Sequence, residues 1–204
     1  MKYPATPILA ILLWACGTDP RDVTRPPVEP VPRGGEAFNP VDQLIQRLPY
    51  VPLPWTFELW GDGVPSIELS PIEQQLLAND PEQEAGVAVG LVGDHPDARH
   101  ILWLSVADSE LPMITTFSSD GEFVRSEGLI IGQCGPGPCY ECKETVRINE
   151  DFTILTTDTV TACECDPTYE PLAIPCDHYV TVLQGTLGSR GAFMTAPMVI
   201  DLNK

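Results

Sequence analysis

The chain has 204 residues, 22 prolines and seven cysteines, and its 29 acidic against 11 basic side chains give a net charge of −18. That length holds one domain of about 150 residues and a tail, and an apolar share of 43% excludes wholesale disorder. The acidic surface repels phosphate backbones, which argues against nucleic acid as a partner and against a peripheral grip on anionic lipid headgroups.

Residues 1–15 predict an export signal. Lys2 gives a small positive start, and Ile8 to Trp14 is an apolar run far short of the ~20 residues a membrane-spanning helix needs. Leu13-Trp14-Ala15-Cys16 resembles the bacterial lipobox, with Trp14 standing where that family usually has a small residue. In that family the cysteine thiol is diacylated and becomes the new N-terminus. The resemblance implies lipidation of Cys16, and Gly17, where an inner-membrane retention signal would want Asp, implies sorting to the outer membrane. Residues 16–35 then lack apolar periodicity and carry Pro26, Pro27, Pro30 and Pro32. Proline favours extended polyproline II, so this stretch predicts a semi-rigid tether reaching roughly 60 Å, ahead of one domain over 36–204.

Within that domain, Asn39 and Pro40 predict the start of a short helix over 40–48, with Val41, Leu44, Ile45 and Leu48 on one face. LPYVPLPWTFEL (48–59) alternates proline with large apolar groups and predicts an extended edge segment. Ser70, Pro71 and Glu73 form a capping box for a second short helix. From residue 86 the texture turns to strands: GVAVGLVG, HILWLSVA and MITTFS are short apolar or alternating runs. Asp120-Gly121 predicts one hairpin turn and Asn149-Glu150-Asp151 another, and DHYVTVLQGTLG and RGAFMTAPMVID supply one or two closing strands. The expected fold is mainly β, all-β or α+β. It is an antiparallel meander of seven or eight strands curled into an open barrel or a two-layer sandwich, with one or two short N-terminal helices.

CGPGPCYEC (134–142) looks most like chemistry. Its C-x4-C-x2-C spacing resembles a plant-type ferredoxin ligand run. Against that, Tyr140 and Glu141 are bulky where small residues are wanted, and Pro136 and Pro138 remove backbone donors to the cluster sulfurs. A zinc site would use the Cys139/Cys142 and Cys163/Cys165 pairs, but the second pair is one residue short of a knuckle. Export favours disulfides, and Cys134, Cys139, Cys142, Cys163, Cys165 and Cys176 form an even set. Fifteen pairings are open to six cysteines. The second hairpin brings Cys139 or Cys142 near Cys163, a cross-strand staple its register permits. No cofactor is expected.

Leu53-Pro54-Trp55, the Ser-Pro helix, the TFSSDGEFV hairpin and the VRINEDFTIL hairpin together resemble a recurrent group of exported lipoproteins of Gram-negative bacteria. The resemblance spans about residues 48–160. It implies fold and location, and no catalytic residue travels with it.

No nucleophile–base pattern stands out. Gly188-Ser189-Arg190-Gly191 is a glycine-rich turn, without the nucleophile-elbow spacing. Asp94, His95, Asp97 and His100 crowd one loop and could hold a divalent metal, although a loop between two strands wants Asp and Pro in any case. Trp55 and Trp60 flank an apparent edge and are candidate contacts for a partner. The expected function is non-catalytic: an interaction or structural module of the cell envelope, anchored to the membrane through lipidated Cys16 and binding an envelope protein or glycan. The rival is an envelope glycan or peptide hydrolase using carboxylates or a metal near Asp94–His100.

Overall fold

The structure is a computed structural model and describes residues 39–78, 85–106, 110–132, 134–135 and 137–203. The expected signal, Cys16 and the tether lie outside the described residues.

The compact unit Asn39–Lys204 begins with helix α1 (Pro40–Arg47). Asn39 caps it, its side chain accepting from the Val41 N–H at 3.0 Å, and Pro40 suits a first turn whose N–H would be unbonded anyway. Helix α2 (Pro71–Ala78) starts at the expected capping box. Glu73 accepts from the Ser70 backbone N–H at 2.8 Å and from its hydroxyl at 2.7 Å. Arg47 reaches Glu73 at 2.6 Å and ties the two helices together. Burial alone would raise the Glu73 carboxyl, but the Ser70 hydrogen bonds and Arg47 hold it below its ordinary value.

Among the described residues eleven strands form two antiparallel sheets. The first is a meander of β2 (Ile67–Glu68), β3 (Ala85–Leu91), β4 (Ala98–Val106), β5 (Glu110–Ser118) and β6 (Phe123–Gly128). The second runs β1 (Trp55–Glu58), β7 (Tyr140–Ile148), β8 (Thr153–Ala162), β9 (Asp177–Gly188) and β10 (Gly191–Met194), with β11 (Met198–Asp201) also pairing β9. This is the two-layer sandwich, with no closed barrel. The strand count exceeds the expected seven or eight, partly because RGAFMTAPMVID divides at Thr195–Pro197 into β10 and β11, which share β9 as a partner at its two ends.

Strand alternation explains the layers. Leu102 and Leu104 of β4 face the second sheet and meet Trp55, Phe57, Val146, Ile148 and Ile154 in the sandwich core. Ile101 and Trp103 point the other way, into a second core under α1 and α2 with Leu44 and Leu77. A strand buried on both faces reads as a continuous apolar run, which is why HILWLSVA lacks clean alternation. Trp103 is fully buried, and its indole N–H donates to Thr115 Oγ1 at 2.8 Å. That hydroxyl in turn donates to the Leu77 carbonyl at 2.9 Å.

Turn chemistry follows the sequence at Gly121, whose φ of +80° lies in the left-handed region open to glycine. Gly90 serves close approach: a Cβ there would sit 2.4 Å from the Pro49 carbonyl oxygen. That approach lets residues 49–51 bond alongside Leu91 through Val51 N–H to Leu91 O and Leu91 N–H to Pro49 O, both 2.8 Å.

Candidate functional site

The cysteines form three disulfides: Cys134–Cys142, Cys139–Cys165 and Cys163–Cys176. They gather at one end of the second sheet, where β7 begins, β8 ends and β9 begins. There they tie Cys134 and Cys139, ahead of β7, and the loop 163–176 to the stapled end. Sequence separations of 8, 26 and 13 residues correspond to about 2.5–3.5 kcal/mol each from restricting the unfolded chain. The expected staple from Cys163 to Cys139 or Cys142 is not formed. Cys139 does lie beside Cys163, whose N–H donates to the Cys139 carbonyl at 2.8 Å. However, Cys139 has φ +56°, which turns its side chain away from the ladder, and its sulfur joins Cys165.

The inner face of the sheet at this stapled end is polar. Glu144 of β7 lies directly opposite Asp158 of β8, which lies opposite Thr181 of β9. All three are almost fully buried. Glu144 has a structural use, its Oε1 accepting from the backbone N–H groups of Ile131 and Gly132 and holding the 129–132 segment across the sheet. Asp158 has none: among the described residues neither carboxylate oxygen has a hydrogen-bond partner, and Thr181 Oγ1 is equally unpartnered. Burial pushes the Asp158 carboxyl above its ordinary value. Burial does the same to Glu144, opposed by the two backbone N–H groups and reinforced by Asp158. Tyr140, hydrogen-bonded to Tyr179, is pushed up to about 12 by burial, by that bond and by the nearby Tyr179 and Asp158.

Two further features mark this end. An open hollow of 480 Å³ is lined by Trp60, Gly135, Tyr140, Glu141 and Cys142. The sulfurs of Cys134 and Cys142 and a carboxylate oxygen of Asp158 lie within 4.8 Å of one another. As a cystine the sulfurs offer no thiolate for a metal.

Trp55 and Trp60 do not form one docking face. Trp55 shares the inward phase of β1 with Phe57, stacks on it at 6.0 Å and belongs to the core. Trp60 lies in the turn beyond β1 with φ +66° and is 58% exposed. The Asp94–His100 loop also fails to gather ligands, for two reasons. His95 Nδ1 accepts the Asp97 N–H at 3.3 Å, and His100 turns inward to Thr116 Oγ1 at 3.0 Å. Burial and the neighbouring His95 lower the His100 pKa to about 4.

Compared with protein-family models, curated proteins and solved structures, the chain matches none. Its function is argued from its own residues. No helix among the described residues is long and apolar enough to cross a membrane.

A second surface was invisible in the sequence. β11 pairs β9 on one side, and no strand pairs its other side among the described residues. Met198, Val199 and Ile200 are 56%, 64% and 41% exposed, so neither face of the strand is covered. Met198 lies opposite Val182 and Ile200 opposite Val180, which extends the apolar strip onto β9. Native edges are commonly blunted by lysine, proline or a bulge. Within β11 the only charge is Asp201.

Proposed function

We propose that this protein is an envelope lipoprotein, anchored through acylated Cys16, whose stapled β domain docks a partner protein by strand addition along β11. The exposed edge strand carries this reading. An extended segment laid beside β11 would gain main-chain hydrogen bonds, with its alternate side chains laid over the apolar strip of Val180, Val182, Met198 and Ile200. The matching occupant is an extended apolar segment with basic flanks, since the chain carries −18. The lipobox-like Leu13–Cys16 and the proline-rich 17–35 stretch support a domain held off a membrane surface.

The test uses the lipidated full chain as bait against an envelope extract, beside a variant carrying Met198→Lys and Ile200→Lys. Capture of a discrete protein that cross-links to β11 and is lost in the variant supports the reading. Capture unchanged by the two lysines, or no capture at all, overturns it.

A further inference from the structure

We propose that Cys134–Cys142 is an exchange-active disulfide that accepts two electrons from a dithiol, with Asp158 as the proton donor to the leaving sulfur. The proposal is independent of docking at β11. Three observations carry it. Asp158 is fully buried with both carboxylate oxygens unpartnered, so its position has no structural use of the kind Glu144 has. That carboxylate lies within 4.8 Å of both sulfurs, within reach of proton transfer directly or through one water. Cys142 lines an open hollow, while the other two disulfides have no buried acid grouped with their sulfurs among the described residues.

The chemistry explains why such a donor is wanted. A disulfide opens faster when the departing sulfur is a good leaving group. Here Glu141, which lines the same hollow as Cys142, places negative charge beside the cystine and disfavours a bare thiolate. Burial away from water favours the protonated form of the Asp158 carboxyl, and a protonated Asp158 supplies what the leaving sulfur lacks. The attacking thiolate enters the hollow and bonds to Cys142 Sγ. The Cys134–Cys142 bond breaks, its electron pair goes to Cys134 Sγ, and that sulfur takes the Asp158 proton. The second thiolate of the dithiol then attacks its own sulfur in the mixed disulfide, and Cys142 leaves and is protonated from solvent. Asp158 regains its proton from solvent. The dithiol is oxidised to a disulfide and the cystine is reduced to two thiols.

The groups facing Asp158 are Tyr140, Cys142 and Glu144 of β7, Tyr179 and Thr181 of β9, and Cys134. The ion pairs among the described residues, Arg47–Glu73, Arg125–Glu127 and Lys143–Glu58, do not include it. Its protonation is set chiefly by burial.

The test is native-state reduction of the full chain by dithiothreitol from pH 5 to 9, quenched by alkylation and resolved disulfide by disulfide by mass spectrometry. In the parent protein Cys134–Cys142 opens first, and its rate per unit of thiolate falls once pH passes the raised pKa of Asp158. In Asp158→Asn that rate drops at least about tenfold relative to the other two disulfides and becomes flat with pH. The other two serve as internal references, because a change in global stability moves all three together. If the Asn variant does not fold, the parent profile decides alone. Opening of all three disulfides together, or a per-thiolate rate independent of pH, overturns the proposal.

Discussion

Asp158→Asn also reports on stability, because the substitution keeps shape and removes only the ionisation. In the folded chain burial raises this carboxyl above its ordinary value of 3.8. A raised folded pKa means the native state holds the proton longer than the unfolded state. Its stabilising contribution is complete below about pH 4 and is lost as pH climbs through the folded pKa. Above that point the fold must carry an unpaired buried charge or expel it. Leaving such a group unsatisfied costs about 1–3 kcal/mol, and more when charged. The Asn variant should therefore match the parent at pH 4 and exceed it by about 1–3 kcal/mol once pH has passed the folded pKa. At roughly 3 °C per kcal/mol for a domain of this size, that is about 3–9 °C in Tm. The assay is thermal denaturation followed by tryptophan fluorescence from pH 4 to 9 with disulfides intact. His100 works in the opposite sense, since its lowered pKa of about 4 stabilises the fold as pH rises from 4 to 6.5. The comparison must be variant minus parent, in which His100 cancels. A difference independent of pH, or one largest at pH 4, would refute the reasoning.

Other outcomes follow from the same packing. Trp103→Ala should cost about 3–5 kcal/mol in urea unfolding, because it empties the core under α2 and removes the indole donor to Thr115. Ser70→Ala should cost about 1 kcal/mol by the same measurement, through loss of the cap and of a hydrogen bond that holds Glu73 charged. The His100 ring should keep neutral-imidazole chemical shifts by NMR down to about pH 5, given its pKa of about 4. An ordinary titration near 6.5 would show the ring to be solvated.

Local signals were legible in the sequence. The Ser70–Glu73 box and the Asp120-Gly121 turn each depend on a few neighbouring residues, and the structure places them as expected. Disulfide pairing was not legible, since it depends on how segments far apart in sequence meet at the end of the second sheet, which no spacing reveals. Trp55 and Trp60 are close in sequence but separate in space. Phe57 sets the inward phase of the strand for Trp55, whereas Trp60 falls beyond the strand's end. Asp158 did leave a trace: in TILTTDTV it shares the phase of Ile154 and Val160, so period two places it inside. What alternation could not show was the missing partner, which depends on β7, β9 and segment 129–135 meeting. The split into β10 and β11 was hidden because AFMTAPMVI reads as one apolar run around a proline.

The most direct test of the account is intact-mass and peptide mass spectrometry of the protein taken from its own membranes. The account predicts a chain beginning at acylated Cys16, with Cys134, Cys139, Cys142, Cys163, Cys165 and Cys176 oxidised in the three observed pairs. A chain recovered from the cytosol with Met1 intact and six free thiols would contradict it.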